Sequence, residues 1–268
     1  MLKLIYCCGD SHTAGGELVD DLLWPDHHPG FCSQDTIDLR DMRVIEQWRR
    51  HRHKSLRQGQ PVTWTEWQAQ EHAHAWPQLL GEILHVPVIN SARIGSSTEW
   101  IARQVMCDVS RLIMDRDPGE LLVLVQPSTS YRLQVHDPAQ GGWTSMQLAD
   151  AHGMDAHVHS WFVERETDAS LATRWLISML GMSSWLNAAG VRWQLVDSGE
   201  HTVDTATLHH RDCSSLASAY QDITANAWLG ITMPQAASLV QLCRCPDLHW
   251  TREVHEHFAR NLADALCA

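Results

Sequence analysis

A serine follows the first apolar segment of the chain directly. Residues 2–8 are apolar apart from Lys3, and Gly9, Asp10 and Ser11 come next. A serine on a sharp turn between a strand and a helix can present its hydroxyl group above the sheet, with its backbone N–H pointing into the same space. Such a residue can act as a nucleophile. A Gly-Asp-Ser tripeptide is also a common turn sequence, so both interpretations stay open at this point.

A possible base for this serine lies near the end of the sequence. Asp247 and His249 stand two residues apart, just before a predicted helix. A serine nucleophile needs a group that takes its proton, and an imidazole in that role needs a carboxylate that fixes its tautomer. One loop can supply both. The alternative interpretation is a helix N-cap beside an exposed histidine.

A third candidate segment contains Asn90 and Gly95. The backbone N–H of Gly95 could donate a hydrogen bond to the oxyanion that forms during acyl transfer. Alternatively, this is a flexible loop in which Ser96 or Ser97 caps the next helix.

Strand and helix patterns alternate along the 268 residues and position these groups. We predict strands at 2–8, 86–90, 121–125 and 191–197, and helices at 65–84, 98–114, 171–189, 216–229 and 251–266, with Pro77 kinking or restarting the first helix. Segments 17–62 and 131–167 lack clear periodicity and are interpreted as insertions into one domain, the first with a helix at 41–56. This order predicts an α/β fold with a parallel sheet covered on both faces. The candidate residues follow the carboxyl ends of its strands, where ligands bind in such folds.

Together, the motifs resemble the SGNH hydrolases, also known as GDSL-like esterases and lipases. Gly9, Asp10 and Ser11 match the first block of that family, Gly95 with Asn90 matches the second, and His249 matches the histidine of the last. The resemblance implies a flavodoxin-like three-layer α/β/α sandwich with a parallel sheet of about five strands. It also implies a catalytic triad of Ser11, His249 and Asp247, with the N–H groups of Ser11 and Gly95 as oxyanion donors.

The chain departs from the family pattern in two places. The third block, Gly-x-Asn-Asp, should follow residues 121–125, but Gln126-Pro127-Ser128-Thr129 stands there. The oxyanion asparagine is therefore missing, and we expect the Ser128 hydroxyl to replace it, with Thr129 or Arg132 as further substitutes. Loss of one such donor costs on the order of 10²–10³ in turnover. In addition, Asp247 precedes His249 by two residues instead of three, as in SGNH-like acetyltransferases of the alginate type.

The resemblance implies a serine esterase or deacylase that acts on an O-acyl ester, with an acylated carbohydrate as the substrate suggested by family analogy. No cofactor and no metal are expected, although Cys243, Cys245 and His249 were weighed as a zinc site. The alternatives are an SGNH-type acyltransferase and a catalytically silent SGNH fold that serves as a binding or virion structural protein. The predicted substrate-binding residues are Asp10, His12, Asn90, Thr129, Arg132 and Trp250.

Charge and composition limit the partners. The formal net charge of −12 argues against nonspecific binding to nucleic acid or to an anionic membrane. No apolar stretch approaches the length of a membrane span, and residues 1–8 do not form a signal peptide, so a cytoplasmic location is expected. The chain also looks like SGNH-like proteins of tailed bacteriophages, and a virion location would follow from such an origin. The expected partner is a small-molecule or glycan ester, and the oligomeric state stays open.

Overall fold

β-Strands and α-helices alternate along the chain. The computed structural model describes residues 1–16, 18, 31–32, 64–137, 142–147, 168–198, 214–225, 227–240, 242–244 and 249–267. The strands are β1 (Leu4–Cys8), β2 (Phe31–Cys32), β3 (Val88–Asn90), β4 (Leu121–Val125), β5 (Arg132–Asp137), β6 (Gly142–Gln147), β7 (Arg192–Asp197), β8 (Trp228–Thr232) and β9 (Leu242–Arg244). The helices are α1 (Ser11–Ala14), α2 (Trp64–His74), α3 (Trp76–Leu84), α4 (Thr98–Leu112), α5 (Asp168–Ala188), α6 (Ser214–Thr224), α7 (Met233–Ala237) and α8 (Arg252–Cys267). The helix predicted at 41–56 lies outside the described residues.

The central sheet has five parallel strands in the order β3-β1-β4-β7-β8. Counted along the chain, these strands are arranged 2-1-3-4-5, which is the flavodoxin-like order. The predicted parallel sheet of about five strands is therefore confirmed. From β1 the chain first adds β3 on one side and then crosses over to add β4 on the other side. Ligands bind at the switch point that this change of direction creates.

Two hydrophobic cores lie on opposite faces of the sheet. On one face, Tyr6 and Cys8 of β1 pack with side chains of α4, α5 and α6. On the other, Ile5 and Cys7 pack with side chains of α3, α7 and α8, among them Phe258. Because β1 and β4 are covered on both faces, they are apolar throughout instead of alternating. The predicted three-layer α/β/α arrangement is confirmed.

Pro77 separates two helices, as predicted. α2 ends at His74, and α3 begins at Trp76 with Pro77 in its first turn. Proline is tolerated there because its missing N–H would have no partner within the helix.

The end of the helix predicted at 216–229 is wrong. α6 ends at Thr224, and residues 228–232 form β8, the fifth strand of the sheet. β8 is an edge strand whose residues are mostly half-buried, so it lacks the uninterrupted apolar run of β1 or β4. Its short apolar pattern was therefore assigned to the preceding helix.

A β-hairpin lies within the segment predicted to be irregular. β5 and β6 pair antiparallel, from Arg132 opposite Gln147 to Asp137 opposite Gly142. The alternation of Leu133 and Val135 with polar residues is the signal that predicts such a strand. β2 and β9 form a second short antiparallel pair. In the part of the chain that the structure describes, no helix is long and apolar enough to cross a membrane.

Candidate active site

Ser11 lies at the carboxyl end of β1, where it begins the short helix α1. Asp10 caps this helix, since its Oδ1 accepts a hydrogen bond from the His12 N–H at 3.1 Å. Gly9 lets the turn form, because a Cβ at that position would overlap the side chain of Thr13. Gly15, in the left-handed conformation with φ of 80°, ends the helix. This tight turn presents Ser11, which is 6% exposed, at the edge of the sheet where the chemistry of α/β folds takes place.

The second carboxylate oxygen of Asp10 faces a buried polar network. Its Oδ2 accepts a hydrogen bond from the Ser128 hydroxyl at 3.1 Å and lies 3.6 Å from the Arg132 guanidinium. Arg132 also donates to Ser128 Oγ at 3.0 Å and to the Ser96 carbonyl at 3.3 Å. This network joins the loops after β1, β3 and β4.

The network contains Ser128, Arg132 and Asp10, three residues that the sequence predicted for the site. The single hydroxyl proton of Ser128 is directed at Asp10, and the residue is fully buried, so it does not replace the missing oxyanion asparagine in this arrangement. Arg132 and Asp10 hold the turn that presents Ser11, and their contact with substrate stays a prediction. Thr129, also predicted to contact substrate, shapes its own turn by accepting from the Tyr131 N–H at 3.2 Å.

Two amides brace α1 from the strands on either side of β1. Asn90, at the end of β3, donates to the Thr13 carbonyl at 3.0 Å and accepts from the Ala92 N–H at 3.1 Å. Gln126, after β4, accepts from the Thr13 hydroxyl at 2.6 Å. The amide of Asn90 thus positions α1, and its predicted contact with substrate stays a prediction. Gln126 was missed, although a polar residue directly after a buried strand is the signal that could have found it.

Gly95 lies on a turn beside the first strand. It adopts a φ of 77°, and nothing lies within 4 Å of the position of a Cβ. The turn is attached to β1, because the Arg93 N–H and the Ser96 hydroxyl both donate to the Gly9 carbonyl, at 3.1 and 3.0 Å. Ser97 caps α4, as its hydroxyl accepts from the Trp100 N–H. The capping interpretation therefore holds for Ser97, while Gly95 occupies an open turn next to α1.

His249 lies against the turn that follows Ser11. A Cβ at Gly16 would come within 3.2 Å of His249 Nε2, and the Gly16 N–H donates to the Ser11 carbonyl at 2.8 Å. The imidazole also contacts His12 edge to face, with ring centroids 5.5 Å apart. The structure thus places His249 beside Gly16, at the end of the turn that begins with Ser11, although the two segments are far apart in the sequence. Asp247, the predicted orienting carboxylate, lies outside the described residues.

Trp250 and His12 are buried at this position. Trp250 is 3% exposed and donates from its indole nitrogen to the Ser198 carbonyl at 3.2 Å. His12 is also 3% exposed and packs against the Trp250 ring at 6.4 Å between centroids. Both residues are predicted to contact substrate, and this stays a prediction.

A third histidine, His255, lies beneath His12 and His249, and the sequence analysis missed it. His255 of α8 is almost completely buried, and its Nδ1 accepts a hydrogen bond from the Trp76 N–H at 3.0 Å. Burial, and then the positive charge that His12 and His249 can carry, lower the pKa of His255 from 6.5 to about 3. His255 is therefore neutral at physiological pH. No local sequence signal would have placed it there.

The described residues include no group of three or more His, Cys, Asp or Glu side chains that could hold a metal ion. Cys245, one member of the zinc site that was weighed, lies outside them.

Comparison with known proteins finds similarity only among solved structures. No family model and no curated protein matches the chain. Several solved structures do, and many of them are GDSL or SGNH hydrolases.

Three of these structures show how distant the similarity is. A member of the lipolytic protein G-D-S-L family from Veillonella parvula is 10% identical, with 98% of this chain and 97% of that one covered and a TM-score of 0.45. The psychrotrophic esterase EstA from a Pseudoalteromonas species is 10% identical, with 99% and 97% covered and a TM-score of 0.46. A carbohydrate esterase with catalytic and non-catalytic binding functions is 12% identical, with 99% and 68% covered and a TM-score of 0.46. The roles of the residues in this chain therefore have to come from its own geometry.

Proposed function

We propose that this protein is a serine esterase that cleaves O-acyl esters, with Ser11 as the nucleophile and His249 as the general base. One observation carries the proposal: His249 lies against Gly16, whose N–H is bonded to the carbonyl of Ser11. A nucleophile at a strand-to-helix turn and an imidazole beside the same turn are the two groups that acyl transfer to a serine requires.

The reaction would proceed in two acyl-transfer steps. Ser11 Oγ attacks the ester carbonyl carbon while His249 takes the hydroxyl proton, and His249 then returns this proton to the departing alcohol. Water, deprotonated by His249, cleaves the resulting acyl-enzyme and regenerates Ser11. Asp247 takes the orienting role that the family resemblance implies.

The oxyanion would be stabilised by backbone groups. Ser11 is the first residue of α1, so its N–H has no partner within the helix. The N–H of Gly95, on the adjacent turn, is the second donor that we propose. Because the Ser128 hydroxyl donates to Asp10, no side chain at that position adds a third donor, and we expect slow turnover.

The same observation on Ser128 favours one other candidate function. A chain that keeps the SGNH arrangement but uses its third-block residue to hold a turn could be a catalytically silent binding or virion structural protein.

Transfer of the acyl group to an alcohol instead of water would use the same residues as hydrolysis. Analysis of the products with an acceptor alcohol present separates transferase from hydrolase.

Labelling with a fluorophosphonate tests the proposal without a guess at the substrate, because an activated serine reacts with it. We expect one adduct on Ser11 in the parent protein by intact mass and peptide mapping, and none in Ser11→Ala or His249→Ala. Ser110→Ala, which removes an exposed serine of α4, is the matched control and should label like the parent. The absence of any adduct between about pH 6 and 9, where an imidazole base becomes neutral, would contradict the proposal and favour the silent fold.

A further inference from the structure

A polar cavity lies beside the turn that contains Gly95. It has a volume of about 470 Å³, within the range of small-ligand sites. Side chains of α2, of residues 91–94 and of α4 line it, among them Gln68, His72, Ser91, Arg93, Trp100 and Gln104.

The cavity is connected to the candidate active site through the backbone. Arg93 lines the cavity with its neighbours, and its N–H donates to the carbonyl of Gly9 at 3.1 Å, two residues before Ser11. A ligand held there would therefore lie next to the Gly95 turn, on the side of the sheet edge formed by β3. This is where a group of the substrate remote from the scissile ester could be bound.

The lining of the cavity favours an anionic ligand. Arg93 supplies a formal positive charge, and the lining residues that the structure describes include no carboxylate, although the whole chain carries a net charge of −12. Burial lowers the pKa of His72, so this residue offers a neutral ring. The electrostatic preference of the described lining therefore comes from one guanidinium, a group that binds carboxylates with two parallel hydrogen bonds.

The remaining lining residues favour a ligand with several hydroxyl groups. Two glutamines, His72 and Ser91 offer hydrogen-bond donors and acceptors around the cavity. Two of the lining residues are also held in place. The Gln104 amide donates to Asp108 at 2.8 Å, and the Arg93 guanidinium lies 6.0 Å from the centre of the Trp100 ring. Side chains that are already positioned lose less entropy when a ligand binds.

We propose that this cavity binds the carboxylate of an acidic sugar, with Arg93 as the residue that selects for the charge. If the protein is the esterase proposed above, its ester substrate is then an O-acylated uronate, and this part of the inference rests on the proposed function. The binding itself requires only the cavity. A neutral acylated sugar of the same size would lack the ion pair with Arg93.

Two measurements test this proposal separately. The first is binding of D-glucuronate and of D-glucose to Ser11→Ala protein by calorimetry, which does not depend on catalysis. We expect glucuronate to bind more tightly than glucose, and Arg93→Gln to weaken glucuronate binding by about 10- to 100-fold, the usual effect of losing a charged hydrogen-bond partner. Arg93→Lys, which keeps the positive charge, should lose less affinity for glucuronate. Arg103→Gln, on the exposed side of α4 and outside the cavity lining, is the matched control and should bind like the parent.

The second measurement is hydrolysis of O-acetylated glucuronate and O-acetylated glucose. We expect Arg93→Gln to reduce the ratio of the two kcat/KM values at least about tenfold, mainly through the KM of the uronate ester. Equal binding of glucuronate by the parent and by Arg93→Gln would overturn the proposal. Binding that depends on Arg93 without hydrolysis of any ester would instead leave the cavity assignment standing and count against the esterase.

Discussion

The two carboxylate oxygen atoms of Asp10 have different hydrogen-bond partners. Oδ1 caps α1, whereas Oδ2 receives the Ser128 hydroxyl and faces Arg132. A carboxylate with a side-chain exposure of only 5% needs such partners, because burial of an unpaired charge is costly. The position of Ser11 therefore depends on the partners of Asp10.

Removal of Arg132 should show this dependence. We expect Arg132→Met to lower the free energy of unfolding by about 2–3 kcal/mol, since it removes the cation that faces the buried Asp10 carboxylate and leaves only the hydrogen bonds from His12 and Ser128. Arg111→Met is the matched control: Arg111 pairs with Asp108 at 3.7 Å, but its side chain is 80% exposed. Arg111→Met should lower the free energy of unfolding by at most about 1 kcal/mol. Urea unfolding measures both, and equal losses would contradict a structural role for the ion pair between Asp10 and Arg132.

At the scale of elements, α3 and α8 are joined through a helix cap. The N-cap residue of α3 is Ala75, which has no side-chain acceptor, and the Trp76 N–H in the first turn is bonded to His255 Nδ1 of α8. A protonated imidazole would present an N–H to this N–H donor. Capping therefore requires neutral His255, in agreement with its lowered pKa.

The stability of the protein should depend on pH through this cap. Between pH 6.5 and about 3, an unfolded chain protonates His255 and the folded chain does not, so folding becomes less favourable as the pH falls. The slope from this residue is about 1.4 kcal/mol per pH unit, and it vanishes above pH 6.5. We expect His255→Asn, which keeps an acceptor for the Trp76 N–H, to remove this part of the dependence in urea unfolding at several pH values. An unchanged slope would show that other groups cause the loss at low pH.

At the scale of the whole molecule, three layers meet closely at a few backbone positions. Gly81 of α3 is one of them: a Cβ there would overlap the Val88 side chain of β3 and lie 2.8 Å from the Val86 carbonyl. Gly181 of α5 is an exposed glycine with nothing within 4 Å of a Cβ position. The two glycines thus differ in whether the packing of the layers requires them.

Alanine at these two positions should have opposite effects. Gly81→Ala should lower the free energy of unfolding by about 1–3 kcal/mol, because α3 has to move away from the sheet edge. Gly181→Ala should raise it by about 0.5–1 kcal/mol, because alanine favours the helix. Thermal and urea unfolding of the two variants measure the difference. Destabilisation by both would indicate that helix propensity does not decide the effect at Gly181.

The sequence predicted best those elements that are buried on both faces. β1 and β4 lie inside the sheet, and their apolar runs identify them without knowledge of their neighbours. The first two residues of β8, at one edge, were predicted to end a helix, because a half-buried strand of five residues carries a weak periodic signal. The hairpin of β5 and β6 was missed although the alternation of Leu133 and Val135 with polar residues is a local strand signal.

The sequence by itself determined the α/β class and the positions of Ser11, Gly95 and His249 at strand or helix ends, because turns and apolar runs are local signals. Only the tertiary structure decided the partners of these residues. It directs the Ser128 hydroxyl to Asp10 and places His255 under His12 and His249. The physical reason is that hydrogen bonds and burial join residues more than 100 positions apart, and no local pattern encodes which groups will meet.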